Sequence, residues 1–177
     1  MDYFAFYDLP VSFNPDAQLV KQKFYELSKK YHPDFYINSP EEKQQEVLEL
    51  STVNNKAYQV LNDPQKRLHY ILELKGLLAD GESYSLPQSF LMEMMEVNEA
   101  LMDLQFDPDA DKLAVIKQDV GVISSGMQQE LDQLTLSFIE QNEAAQADIL
   151  ARVKDLYYRK KYLSRINDSV VKLEAGL

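Results

Sequence analysis

The chain has 177 residues, 45 % of them hydrophobic and 11 % aromatic, which supplies one or two small cores and excludes a disordered composition. Cysteine is absent, which excludes disulfides, thiol catalysis, cysteine-based zinc sites and thiolate-held iron–sulfur clusters. The net charge of −11 is uneven: residues 1–78 hold 9 basic and 11 acidic side chains, residues 79–148 hold 2 and 15, and residues 149–177 hold 7 and 3.

The acidic middle argues against nucleic acid as a partner, because phosphate binding needs concentrated Lys and Arg. The basic last stretch suits a helix packed beside acidic ones. Glycine numbers only 5 and long alternating runs are missing, so an all-α chain is expected. Met1-Asp2-Tyr3 has no basic start, and no apolar run approaches the ~18 residues of a membrane span. Neither a signal peptide nor a membrane helix is expected, and a cysteine-free chain fits a reducing, cytoplasmic compartment.

Residues 2–9 are rich in aromatics (Tyr3, Phe4, Phe6, Tyr7) and predict a short packing helix. Asn14-Pro15-Asp16 offers an N-cap, a first-position proline and a first-turn acid for a helix over about 15–31. Its Val20, Phe24, Leu27 and Tyr31 recur at i, i+4, i+7 and i+11, with Lys21, Lys23, Lys29 and Lys30 on the polar side. Pro33 disfavours helical backbone at His32, so this helix ends near Tyr31. Ser39-Pro40-Glu41-Glu42 has the form of a capping box with proline at N1. It opens a helix over about 40–62 that carries Leu50, Val53, Ala57, Val60 and Leu61 on one face. Two apolar faces joined by a short turn bury each other as an antiparallel hairpin, which leaves His32, Pro33 and Asp34 at the exposed tip. Asp63 then caps a short helix that stops at Gly76. His69, within it, reads as a packing or surface residue.

Residues 79–88 are rich in turn formers and read as a linker between a domain over 1–78 and another over 89–177. Three helices are expected in the second, at about 88–105, 109–141 and 144–174, separated by Asp107-Pro108 and a weaker break around Asn142. Gly121 and Ser124-Ser125-Gly126 mark a point where the middle one can kink or fray. Three antiparallel helices bury their apolar faces as a bundle. In the first of them Leu91, Met95 and Asn98 run along one face, and Met92, Glu96 and Glu99 along the adjacent one. The residues alone admit two readings: Leu91, Met94, Met95 and Leu101 are core, or the methionines form an adaptable partner surface with an acidic rim. The lysine face of the first hairpin helix is likewise either solvated or a docking face.

Met1-Asp2-Tyr3-Phe4, Leu9-Pro10, Lys29-Lys30-Tyr31 before His32-Pro33-Asp34, Ala57-Tyr58, Leu61 and Asp63-Pro64-Gln65-Lys66-Arg67 together resemble a J domain over about residues 1–75. That module stimulates the ATPase of DnaK-type chaperones. A J domain followed by Phe90-Leu91-Met92-Glu93 at the head of a small helical bundle resembles the HscB family, co-chaperones of iron–sulfur cluster biogenesis. The resemblance implies a J-domain hairpin with short flanking helices and a C-terminal three-helix bundle. It also implies two partners. His32, Pro33, Asp34, Lys21, Lys29 and Lys30 would meet an HscA/DnaK-type chaperone. Leu91, Met92, Met95, Glu96 and Glu99 would bind an IscU-type scaffold, joined by Tyr158 of the last helix, with Tyr157 as the competing alignment.

The resemblance further implies a protein that is not an enzyme and carries no cofactor. It implies no metal, since the N-terminal cysteine pair of some organellar relatives is missing. Tyr25 and Glu26 stand where many J domains carry basic residues, which points to one dedicated chaperone. Two other readings compete. An enzyme using His32 and Asp34 as an acid/base or metal pair lacks further ligands or a nucleophile, with only 2 histidines in the chain. A J-domain co-chaperone delivering a different client would share every N-terminal motif, and only the 90–99 segment and the overall length speak against it.

Overall fold

The computed structural model describes residues 2–79 and 81–176, and all regular structure among them is helical. In chain order the α-helices are α1 (Tyr3–Phe6), α2 (Ala17–Lys30), α3 (Glu41–Leu61), α4 (Pro64–Leu74), α5 (Gln88–Phe106), α6 (Ala110–Thr135) and α7 (Glu143–Gly176). Short 3-10 turns occupy Pro33–Tyr36 and Phe138–Glu140. The chain divides into two compact units, Met1–Ala79 with Phe138–Gln141, and Asp80–Ser137 with Asn142–Leu177.

In the first unit α2 and α3 form the expected hairpin. Val20 of α2 and Val47, Ala57 and Leu61 of α3 are buried, and the rings of Phe24 and Tyr58 stack at 4.2 Å. Beneath it α1 contributes Phe4, its C-cap contributes Tyr7, and α4 contributes Leu68, Ile71 and Leu72. Phe13 meets Phe138 edge-on at 5.0 Å, and both are buried.

The centre of this core is polar. Asn54 is 1 % exposed; its side-chain oxygen accepts from the Tyr7 hydroxyl at 2.9 Å. Its amide donates to the Phe24 carbonyl at 3.1 Å and to Ser28 Oγ at 3.0 Å. One side chain thus ties α1 and α2 to α3, and a buried polar group is tolerated because it is satisfied. Arg67 makes a second tie, donating from Nε to the Phe13 carbonyl (2.8 Å) and from Nη1 to the Leu61 carbonyl (2.6 Å).

Helix ends follow local chemistry. Asp16, not Asn14, is the N-cap of α2: its carboxylate accepts from the N–H groups of Gln18 and Leu19 at 2.8 and 3.3 Å. The Ser39 capping box does not form. Pro40 keeps extended backbone (φ −53°, ψ 149°), so the helix starts at Glu41 with no side-chain cap. Gln44 instead reaches back, donating to the carbonyls of Ile37 and Ser39 at 3.1 and 2.9 Å. Asp63 caps α4 as expected, accepting from Gln65 and Lys66 at 2.9 and 3.0 Å. The helix closes in a Schellman motif: Gly76 has φ +69°, and the Leu77 N–H bonds to the Leu72 carbonyl at 2.9 Å.

In the second unit α5, α6 and α7 bury Phe90, Met94, Leu101 and Leu104; Leu113, Val120, Met127 and Leu131; and Leu150, Val153, Leu156, Leu163, Ile166 and Val170. The basic last helix does lie beside the acidic one before it, with Arg152–Glu130 at 3.2 Å and Lys117–Glu174 at 2.7 Å. Those pairs run in opposite senses along the chain, so α6 and α7 are antiparallel. The α6 helix passes uninterrupted through Gly121, Ser124, Ser125 and Gly126. It ends at Thr135, six residues short of the expected 141. Burial of Phe138 takes the following residues off the helical path, and Asn142 then caps α7 by accepting from the Ala145 N–H at 2.9 Å.

Candidate functional site

The hairpin tip is built by three local constraints. Tyr31 closes α2, His32 is extended (φ −71°, ψ 124°), and Pro33 opens a 3-10 turn. His32 Nδ1 caps that turn by accepting from the Asp34 N–H at 3.3 Å. The Asp34 carboxylate also approaches His32 Nδ1, at 3.7 Å. The Asp34 carboxylate is 78 % exposed, and among the described residues no lysine or arginine pairs with it.

Three bonds from two side chains outside the motif hold the tip in place. The Tyr36 hydroxyl donates to the Lys30 carbonyl at 2.8 Å, and Gln44 fastens the far side through Ile37 and Ser39. Phe35 and Ile37 are exposed on the tip, 74 % and 66 %. A hollow of about 350 Å³ lies between Asp34 and α3, lined by Ile37, Gln44 and Leu48 among others. Lys21, Lys29 and Lys30 are exposed on α2, with the Lys30 ammonium 5.2 Å from the Tyr31 ring centroid. Lys23 is committed elsewhere: its ammonium bonds to Asp8 at 2.9 Å, and that hydrogen bond holds its pKa above the usual lysine range.

On α5 the core reading of the methionine segment holds for Met94 and Leu101 and fails for Met95. Met94 and Leu101 are core, at 0 % and 3 % exposure, while Met92 and Met95 stand 58 % exposed. Leu91 is half-buried, and Glu96 and Glu99 are exposed. The exposed side chains recur at i, i+3, i+4 and i+7 from Met92, one stripe about 11 Å long at 1.5 Å per residue. Among the described residues no ion pair engages Glu96 or Glu99.

The relation of Tyr158 to this stripe follows from its neighbours. The Arg159 guanidinium lies 5.5 Å from the Phe90 ring, and Tyr162 meets Phe90 edge-on at 5.9 Å and accepts from Asn98 Nδ2 at 3.2 Å, so contacts advance together along both helices and α7 runs parallel to α5 at this level. Tyr158 lies one turn before Tyr162, level with the start of α5 and with Leu91 and Met92. It is half-buried. Tyr84 stacks on it at 4.5 Å with 7° between the ring planes, and Tyr157 meets it edge-on at 5.1 Å.

Tyr36, Gln44, Glu82 and Tyr84 had no role in the sequence reading. Tyr84 and Glu82 lie 71 and 72 residues from their partners Asp155 and Lys154. The only local signal was an acid and an aromatic inside a stretch otherwise made of turn formers.

Residues 5–70 match the family model of the DnaJ domain, and residues 86–171 match that of the HSCB C-terminal oligomerisation domain. Two Vibrio cholerae serotype O1 strains each carry a "Co-chaperone protein HscB homolog" that is 31 % identical over 175 residues, covering 97 % of this chain and 99 % of the relative. The chain belongs to the HscB co-chaperone family. A solved chaperone HscB from Vibrio cholerae aligns with a TM-score of 0.58 at 29 % identity, covering 95 % of this chain and 98 % of that one. The human co-chaperone protein HscB shares the fold, with a TM-score of 0.70 at 24 % identity over 100 % of this chain and 84 % of its own. A J domain in an HscB-family chain implies an Hsp70-type chaperone as partner. Among the described residues no helix is long and apolar enough to cross a membrane.

Proposed function

We propose that the protein is a two-ended adaptor of iron–sulfur cluster assembly, without covalent chemistry of its own and acting in the cytoplasm. Its first unit engages an HscA-type chaperone in the ATP-bound state, and its second unit holds an IscU-type scaffold. The observation that carries the reading is the Asp34 carboxylate: exposed, paired with no lysine or arginine among the described residues, on a tip pinned at both ends. A carboxylate so presented makes a charge-assisted hydrogen bond to a basic group of the chaperone, stronger than a neutral one. Lys21, Lys29 and Lys30 steer the encounter toward an acidic surface, so it is weak and salt-sensitive.

On the second unit Met92 and Met95 supply flexible apolar contact, Leu91 and Tyr158 flank them, and Glu96 and Glu99 favour a partner with basic side chains. Faster ATP hydrolysis is then a property of the chaperone, whose conformational equilibrium shifts because the adaptor binds one state preferentially.

The test is the steady-state ATPase of an HscA-type chaperone with this protein, in the presence and absence of an IscU-type scaffold. Stimulation that rises further when the scaffold is added supports both ends. Stimulation that ignores the scaffold means the bundle delivers a different client. No stimulation by the folded protein rejects the reading.

A further inference from the structure

The segment just before α5 is built onto α7. Glu82 Oε1 sits 2.7 Å from the Lys154 ammonium, with side chains only 29 % and 17 % exposed. The Tyr84 hydroxyl donates to the Asp155 carboxylate at 2.8 Å. The Lys154 ammonium stands 5.6 Å from the Tyr84 ring centroid, and Glu82 Oε2 is 3.5 Å from the Tyr158 hydroxyl. Asp155 is itself held by Arg159, 2.6 Å away and close in distance without being aligned as a hydrogen bond. The Arg159 guanidinium lies 5.5 Å from the Phe90 ring. Tyr84 is therefore fixed from both ends, by its ring on Tyr158 and its hydroxyl on Asp155.

We propose that Tyr84 is a positioning residue for the scaffold-binding surface: its parallel stack holds Tyr158 in one rotamer, so that the Tyr158 ring is already ordered when the partner arrives. The inference rests on the patch proposed above. A tyrosine on an open helix surface samples more than one χ1 well, and ordering it on binding weakens affinity. A stack that orders it beforehand removes that loss, which corresponds to about two- to tenfold in the dissociation constant. The stacking ring does this, so Tyr84→Phe keeps the effect and Tyr84→Ala or Tyr84→Leu abolishes it.

The experiment is calorimetric titration of the full chain with an IscU-type scaffold, for wild type, Tyr84→Ala, Tyr84→Leu, Tyr84→Phe and Tyr158→Ala. NMR of ring-labelled tyrosine accompanies it. The expected result is binding weakened about two- to tenfold in Tyr84→Ala and Tyr84→Leu, and restored to within about twofold by Tyr84→Phe. The Tyr158 ring signals should lose the shift due to the stacked ring in the same two variants and keep it in Tyr84→Phe. Scaffold-independent stimulation of the chaperone should be unchanged throughout. Wild-type affinity in Tyr84→Ala and Tyr84→Leu, beside weakened binding in Tyr158→Ala, overturns the role of Tyr84 and leaves the patch standing. Wild-type affinity in Tyr158→Ala removes Tyr158 from the patch, and the role of Tyr84 goes with it.

Discussion

Asn54 sits in the apolar stripe of α3 where an aliphatic residue would satisfy the helical period. Its side chain makes three hydrogen bonds, from the Tyr7 hydroxyl and to the Phe24 carbonyl and Ser28 Oγ, which replace the water it has lost. Substituting Asn54→Leu leaves the Tyr7 hydroxyl and Ser28 without this partner in a closed core. The expected outcome is a loss of about 2 kcal/mol in urea unfolding, with little change in the second unit. Periodicity marked Leu50, Val53, Ala57, Val60 and Leu61 as the core face of α3; Ala57 and Leu61 are buried, while Leu50, Val53 and Val60 are only half-buried. The buried set of α3 is Val47, Asn54, Ala57 and Leu61, with the asparagine hydrogen-bonded to Tyr7, Phe24 and Ser28.

Tyr84 offers a second test at the same scale, through pH. Burial, and then the hydrogen bond to Asp155, push its phenol up to about 12. The folded state thus holds this proton more tightly than the unfolded chain does. The stabilisation is complete below the ordinary tyrosine value near ~10 and is lost as pH rises toward the folded value. The stability advantage of wild type over Tyr84→Phe should shrink across that window and stay flat below it. An advantage that persists into stronger alkali would show that the Asp155 bond contributes nothing.

Among the elements, α6 carries two glycines where a helix gains nothing from them. An added Cβ at Gly121 or Gly126 meets nothing within 4 Å, and neither glycine has positive φ. Gly121→Ala and Gly126→Ala should each stabilise the protein by about 0.5–1 kcal/mol, read as a raised unfolding midpoint with an unchanged slope. Asp63 tests a cap. Asp63→Ala should cost about 1 kcal/mol. The backbone N–H groups it accepts hold its carboxyl below the usual aspartate range, so the wild-type advantage is present at neutral pH and fades as acid protonates it.

The order and type of the helices were legible because long amphipathic stripes and proline or glycine stops are local signals. Cap assignments were less so: Asp16 outcompeted Asn14, and Pro40 kept an extended ψ that a first helical residue does not have. The end of α6 was hidden because residues 136–141 contain neither proline nor glycine. What bends the chain there is a long-range aromatic contact between Phe138 and Phe13.

For the whole molecule, the two candidate surfaces belong to separate compact units, and each is legible to a different degree. Residues 32–34 stand out because three residue types in a row sit between two complementary stripes. The α5 surface does not, since Met94 and Met95 look alike in sequence, yet one is buried and the other is 58 % exposed. If the protein is a two-ended adaptor, each end can be disabled without the other. The most direct measurement is chaperone ATPase, with scaffold affinity measured beside it, for Asp34→Asn and for Met95→Asp. Both substitutions fall on exposed side chains and should leave the unfolding free energy within about 0.5 kcal/mol of wild type. Asp34→Asn is predicted to abolish stimulation while leaving scaffold affinity unchanged. Met95→Asp is predicted to weaken scaffold binding at least tenfold, by about 1.4 kcal/mol or more, while leaving scaffold-independent stimulation intact. Full stimulation by the folded Asp34→Asn variant, or the loss of both activities in either variant, would contradict the account.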